Sequence, residues 1–271
     1  MAERHRERSQ ASGGDMRRSL ELLWGGPGPG RRGPKQRLST DAVVQSAIAF
    51  ADGEGVAALS MRRVADALGV SPMSLYTYVP SRDELLGLML DRVLGETAAP
   101  PADGAPWREA LTFIARERWR LAERHPWILD LMGRRPPLGP NLVGNHEIAM
   151  RALDATPLDE LTKDYALDTL QNYLVGAMKE ARDARMAERD SGLTEEQWFK
   201  LAEPALMDLL DPARFPRVLR LGEAFRAAGW RAADPEHRFE FGLNLVLDGI
   251  DALIRRAGTV VREAGPGEDM V

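Results

Sequence analysis

Apolar residues between positions 38 and 95 recur every three to four residues, in short blocks broken by glycine, proline and serine. Each block has the period of a helix rather than a strand. Val44, Ala47, Ile48 and Ala51 fall at i, i+3, i+4 and i+7, which predicts a helix over 40–51. Ser60 can cap a second helix whose Val64, Ala65 and Leu68 share one face. Gly69 follows as a turn, because glycine tolerates the left-handed backbone that ends many helices. Ser71-Pro72 then restarts a short helix, with serine as N-cap and proline where its missing N–H costs nothing. Leu75 and Val79 point inward from it. Ser81-Arg82-Asp83-Glu84 reads as a Ser-x-x-Glu capping box, opening a helix that continues through Leu85, Leu88 and Met89.

Beyond residue 107 helix follows helix, with no convincing two-residue alternation. The predicted helices are 107–124, 126–132, 141–154, 161–188, 194–202, 214–228 and 235–257. The fold class is therefore all-α, in four regions: an arm over 1–37, a helix-turn-helix domain over 38–95, a helical effector-binding and dimerisation domain over 107–265, and a tail over 266–271. In 235–257 Phe239, Gly242, Val246, Gly249 and Leu253 recur at helical spacing. In 161–188 Leu170, Leu174 and Ala177 form a second stripe. Both stripes are expected at a dimer interface, the competing reading being the core of a monomer.

Two short helices joined by a glycine turn are the sequence form of a helix-turn-helix, whose second helix enters the DNA major groove. A plain helical hairpin can use the same caps. The contents of the second helix favour DNA: Ser71, Pro72, Met73, Ser74, Tyr76, Thr77 and Tyr78 are left facing outward or sideways, and hydroxyls and tyrosines suit phosphate and base-edge contacts. Arg62 is expected to reach a base edge or phosphate, and Arg82 the DNA backbone.

Net charge qualifies this picture. The 271 residues carry a formal −5, whereas a DNA-binding domain is usually basic. Residues 1–37, however, hold nine basic and four acidic side chains, a net +5, which leaves −10 on the remainder. Arg31, Arg32 and Lys35 crowd together just before the first helix, where a basic arm can neutralise phosphates or enter the minor groove. Within the arm, Arg17–Trp24 is a short amphipathic patch that could dock on the protein, on a partner or nowhere.

Composition excludes several classes. Hydrophobic residues make up 44%, and mean hydropathy is −0.32. No apolar run approaches a membrane span, and Met1–Gly14 is too polar for a secretory leader; the cytoplasm is the expected location. The absence of cysteine rules out disulfides and thiolate chemistry. His5, His125, His146 and His237 show no metal spacing, and neither a Gly-x-Ser-x-Gly elbow nor a phosphate loop is present. No catalytic residue, metal or cofactor is expected. A ligand cavity fits better: Asn145, His146, Thr169, Asn172 and Tyr173 lie among leucines and methionines, and small ligands are held in mostly apolar cavities with a few placed polar groups.

The stretch from about Leu38 to Leu94 resembles the DNA-binding domain of the TetR family of transcriptional regulators. The resemblance is carried by the Ala51–Gly55 turn, by LSMRRVADALGV, and by SPMSLYTYVPSRDELL with its Leu75, Tyr76, Tyr78 and Val79. The rest of the chain resembles the tetracycline-repressor type of C-terminal domain. Gly133-Arg134-Arg135-Pro136 is similar to the Gly-x-Arg-Pro turn lining that repressor's drug pocket, which implies effector contact for Arg135 and Pro136. Leu131 and Met132 stand where the family's magnesium-binding histidine would be, so a magnesium–tetracycline effector is not expected. The resemblance implies a homodimeric repressor that binds a pseudo-palindromic operator and is released by a small, largely apolar effector. The rival from another class is a ligand-binding or enzymatic helical bundle with an incidental helix-turn-helix.

Overall fold

In the computed structural model the described residues are 16–25, 38–100, 104–133, 136–228 and 234–263, with side chains in the final helix described through Thr259. Among them there are helices and no strand. In chain order they are α1 (residues 16–23), α2 (Thr40–Glu54), a 3₁₀ turn (Val56–Ala58), α3 (Met61–Leu68), α4 (Pro72–Tyr76), α5 (Arg82–Leu94), α6 (Trp107–Arg124), α7 (Ile128–Leu131), α8 (Pro140–Arg151), α9 (Glu160–Ser191), α10 (Glu195–Leu209), α11 (Pro216–Ala227) and α12 (Pro235–Glu263). They form two compact units, Met1–Ala152 and Leu153–Val271.

The first unit is built by local signals. Ser39, Ser60, Ser71 and Ser81 each accept a hydrogen bond from a backbone N–H in the first turn of the helix that follows, satisfying donors that have no partner inside the helix. Gly69 ends α3 in the left-handed region, at φ 65° and ψ 32°. Val43, Ala47, Val64, Ala65, Leu75, Val79, Leu85 and Met89 are fully buried and form the core under α2, α3, α4 and α5.

The expected capping box at α5 is only half made. Ser81 accepts from the Glu84 N–H at 3.2 Å, but the Glu84 carboxylate accepts from the Ser81 hydroxyl instead of reaching back to the Ser81 N–H. Its other oxygen accepts from the Ser19 hydroxyl of α1 at 3.3 Å. The Trp24 indole N–H, just beyond α1, donates to the Leu138 carbonyl at 3.0 Å. The Arg17–Trp24 patch thus docks on the chain's own first unit.

α8 joins this unit through buried polar contacts from α5. Gly139 at the N-cap has no side chain to cap the helix, and Asp91 does so from α5. Its carboxylate, 4% exposed, accepts from the Asn141 and Leu142 N–H groups at 3.1 and 2.9 Å and from the Asn141 amide at 3.0 Å. A Cβ on residue 139 would lie 2.3 Å from that carboxylate, so only glycine lets Asp91 approach. One turn along α5, Asn145 Nδ2 donates to the Leu94 carbonyl at 2.9 Å.

The second unit is organised by α9, which packs along α12. Asp159 caps α9 through the Thr162 N–H, and Gly192 ends it. Tyr173 stacks on Phe239 with ring centroids 6.5 Å apart and donates its hydroxyl to the Phe239 carbonyl at 2.7 Å. Gly242 makes room for that ring: a Cβ there would sit 2.5 Å from Tyr173. α10 opens with a complete Thr194/Gln197 capping box, yet neither α10 nor α11 buries a residue.

Candidate functional site

α4 is a short helix mounted on a rigid base. Leu75 and Val79 anchor it with no exposed surface, and Thr77, Tyr78 and Val79 tie its end back through backbone bonds to Ser74 and Leu75. What remains outside is a compact contact surface. Ser71, Pro72, Met73, Ser74, Tyr76 and Thr77 are exposed, and Tyr78 is half-buried. Met73 is 77% exposed and Tyr76 43%, high values for side chains of their size in a folded domain. The hydroxyls of Ser71 and Ser74 share a 2.9 Å hydrogen bond, and each keeps accepting capacity outward. On α3, Arg62 projects with its side chain 85% exposed, 4.0 Å from Asp66.

Arg82 does not join this surface. Its Nε donates to the Leu59 carbonyl at 3.0 Å and a terminal nitrogen to the Val56 carbonyl at 2.8 Å. It therefore braces the 3₁₀ turn that leads into α3, and its expected role on the DNA backbone is corrected to one inside the protein. The serine cap located the residue correctly but carried no information about the direction of its side chain. Arg31, Arg32 and Lys35 lie outside the described residues.

Of the residues expected to bind an effector, Asn145 and His146 fall in the first unit and Thr169, Asn172 and Tyr173 in the second. Arg135 lies outside the described residues, and Pro136 is exposed. Asn145 bonds to α5 and the turn after it: besides Leu94 it meets the Thr97 hydroxyl at 3.2 Å. His146 is exposed on α8. Thr169 and Asn172 are exposed and bond within α9, to the Tyr165 carbonyl and the Asp168 carboxylate. Tyr173 serves the α9–α12 joint. Asn145 and Tyr173 thus take part in helix packing within their own units, while Thr169 and Asn172 are exposed positions of α9.

Two hollows lie in the first unit instead. One, of about 430 Å³, runs along the outer side of α6 beside Arg108, Thr112, Phe113 and Arg116. The other is a narrow recess between α6, α8 and the end of α5, lined by Thr97, Ala98, Ile114, Glu117, Arg118, Asn145 and Ile148. Burial of the Arg118 guanidinium there lowers its pKa to about 10. Glu117 beside it is held below the usual carboxylate range, first by its hydrogen bond to Arg120.

A cluster that sequence spacing could not reveal surrounds His125, which is 8% exposed. Its Nδ1 lies 2.7 Å from Asp52 and its Nε2 3.1 Å from Glu96, while the Trp127 indole donates to the same Asp52 oxygen at 2.7 Å. One imidazole thereby joins the end of α2, the segment after α5 and the α6–α7 turn. Among the described residues no group of histidines and carboxylates could hold a metal, and no helix is long and apolar enough to cross a membrane.

The stripes chosen for a dimer interface are partly used up within the chain. Leu170, Leu174 and Phe239 are 3%, 1% and 2% exposed, and Gly242 is filled against Tyr173. These four are corrected to packing inside one chain. Ala177 and Val246 are half-buried, while Gly249 and Leu253 are exposed. The apolar side chains left uncovered are others: Leu161 and Tyr165 on α9, Phe241 and Leu245 on α12. Phe241, Leu245, Gly249 and Leu253 follow one another at i, i+4, i+8 and i+12.

A short exposed helix that follows a glycine turn and rests on α2, α3 and α5 defines a helix-turn-helix DNA-binding protein. Residues 43–89 match the family model for bacterial regulatory proteins of the tetR family, and residues 100–254 match the tetracycline repressor-like C-terminal domain. The chain belongs to the TetR family of transcriptional repressors. It is 40% identical over 243 residues to the HTH-type transcriptional repressor DrrR1 of Streptomyces coeruleorubidus, covering 89% of this chain and 87% of that protein. Among solved structures it is similar to apo ActR from Streptomyces coelicolor, with a TM-score of 0.67 and 29% identity over 84% of this chain and all of that one. ActR in complex with actinorhodin gives 0.68 and 30%, covering 80% of this chain and 97% of that one. These relatives are regulators rather than enzymes.

Proposed function

We propose that the chain acts as a homodimer that presents two copies of α4 to successive major grooves of a pseudo-palindromic operator and is released by a small, largely apolar effector. The reading rests above all on the exposed surface of α4, where Met73, Ser74, Tyr76 and Thr77 stand out from a fully buried anchor. A helix of five residues has little stability of its own, so its placement by Leu75 and Val79 matters for what those side chains can touch. Arg62 and Tyr78 flank the surface, and Arg31, Arg32 and Lys35 would add phosphate contacts of no sequence preference.

Dimerisation is supported by the uncovered apolar face of α9 and α12. Leu161 and Tyr165 are each 66% exposed, Phe241 65% and Leu245 58%, and uncovered large apolar side chains on both helices of one joint favour an interaction surface over a solvated one. Effector release is supported by ActR, a neighbour solved with a bound small molecule. Arg135 and Pro136, in the Gly-x-Arg-Pro turn, are proposed to contact the effector.

The test is fluorescence anisotropy on duplexes tiling the chain's own promoter region. Tyr76→Ala and Arg62→Ala should each cost about 1–3 kcal/mol on the preferred duplex and less on random DNA. Unchanged affinity in both variants would remove α4 as the reading element. Light scattering should give a dimer, and Leu245→Asp should give a monomer with much weaker operator binding. A monomeric wild type at micromolar concentration would overturn the assembly.

A further inference from the structure

Two tethers fix the direction of α1 on the first unit. The Ser19 hydroxyl donates to Glu84, in the first turn of α5, at 3.3 Å. One turn further along, the Trp24 indole donates to the Leu138 carbonyl at 3.0 Å. Leu138 stands beside the middle of α5: a Cβ on Gly87 would lie 3.3 Å from Pro137, and one on Gly139 would meet the Asp91 carboxylate. α1 therefore runs alongside α5 in the same direction, with Arg17 and Arg18 at the end where α5 begins. Ser19, Leu20, Leu22 and Leu23 are half-buried and form its inner face, while Arg17, Arg18 and Glu21 are exposed. The Arg17 side chain is 83% exposed and lies 2.9 Å from Glu21, a surface pair of a kind worth little and open to exchange for a stronger partner.

The start of α5 is also the edge of the DNA-reading surface. Only Thr77–Ser81 separate α4 from α5, and Arg82 fastens the first turn of α5 to the Val56 and Leu59 carbonyls, just ahead of α3. That turn carries Asp83 and Glu84, and its arginine is turned inward. A phosphate strand passing it takes its counter-charge from α1. A duplex whose major groove receives α4 has such a strand along each rim, the groove being about 12 Å wide. Guanidinium is the side chain best shaped for phosphate oxygens, through parallel N–H donors.

We propose that Arg17 and Arg18, presented by the docked α1, bind the phosphate backbone of double-stranded DNA beside the α4 contact, as a second and sequence-independent site. The proposal rests on the reading of α4 above and widens the DNA surface beyond the helix-turn-helix. Docking is part of it. Charges already held in place give up less freedom on binding than charges on an unanchored segment, so Ser19 and Trp24 act as positioning residues for the two arginines.

The full-length protein is titrated by fluorescence anisotropy on its preferred promoter duplex and on random duplex across a salt series. The double variant Arg17→Ala/Arg18→Ala should weaken both duplexes by a similar factor, about tenfold near 0.1 M salt, and lower the slope of log affinity against log salt by about one to two. Arg17→Lys/Arg18→Lys should restore most of both. The alanine pair should melt like wild type, because both side chains are exposed. Ser19→Ala/Trp24→Ala, with the arginines intact, should fall between wild type and the alanine pair in affinity and in slope. Unchanged affinity and slope in the alanine pair, a loss confined to the preferred duplex, or a loss that the lysine pair does not recover would each overturn the proposal. So would a clear drop in melting temperature for the alanine pair, which would make the arginines structural. A docking variant indistinguishable from wild type would overturn the docked helix as the site. Arg62→Ala and Tyr76→Ala are measured in the same assay. If they lose nothing while the α1 pair still weakens both duplexes, the phosphate site stands and the reading of α4 fails.

Discussion

Two helix–helix joints in this molecule are built from opposite materials. The α9–α12 joint is aromatic and aliphatic, with Leu170, Leu174, Met178, Phe239, Leu243 and Leu247 all buried. Its polar atoms are satisfied locally, as in the Tyr173 hydroxyl on the Phe239 carbonyl. The α5–α8 joint is held instead by a buried carboxylate capping a foreign helix and by an amide on a helix-terminal carbonyl. Apolar packing is non-directional and adds with area, so it favours one permanent pairing. Hydrogen bonds to a charged cap are directional and fail as a set when the geometry shifts. The first kind of joint suits a fixed platform, and the second a hinge that has to change state.

The largest expected effects are therefore in the α9–α12 joint. Phe239→Ala should cost about 3–5 kcal/mol in urea unfolding, the usual range for deleting a buried aromatic ring. Gly242→Val should be comparably harmful, because its Cβ would meet the Tyr173 ring at 2.5 Å. A loss below about 1 kcal/mol for both would show that this joint yields, and the contrast with α5–α8 would collapse.

Asp91→Ala should cost less stability, about 1–3 kcal/mol, since it leaves the Asn141 and Leu142 N–H groups without an acceptor. Its distinguishing effect is on coupling: operator affinity should change even though no DNA-facing residue is altered. A variant destabilised by that amount with unchanged operator affinity would make Asp91 a simple cap. Asp91→Asn keeps one acceptor oxygen and should fall between the two.

The two joints also differ in how far they could be read from sequence. The helix-turn-helix was legible almost residue by residue, because its serine caps, Gly69 and the Leu75/Val79 pair act within one or two turns of where they stand. Asp91 was not, because the first N–H it accepts from stands 50 residues later and its own surroundings read as an ordinary helix interior. Arg118 and the Asp52–His125–Glu96 cluster were hidden for the same reason. On α12 the period was legible but the face was not. Phe239, Leu243, Leu247 and Ile250 look like Phe241, Leu245 and Leu253 to any count of helical spacing, and only α9 decides which row is covered. A helix apolar on two faces carries two equivalent stripes.

The smallest effect sharpens the comparison at the start of α9, where the platform helix is capped by its own neighbour rather than from afar. The Asp159 carboxylate accepts the Thr162 N–H at 2.8 Å, and that bond, ahead of the nearby Lys163 charge, holds its pKa below the ordinary value. A carboxyl whose folded pKa is depressed adds stability that is fully present above its unfolded pKa and is lost as the pH falls through the folded one. Asp159→Asn retains a capping oxygen, since asparagine is nearly as good an N-cap, but cannot titrate. Wild type and variant should therefore differ by a small constant amount at neutral pH, and the difference should shrink as the pH drops below about 4. Asp159 is exposed, so added salt should weaken the charge-dependent part and leave the cap itself. A difference between the two proteins that grows on acidification would reverse the sign and show that the carboxylate is strained rather than stabilised at this position.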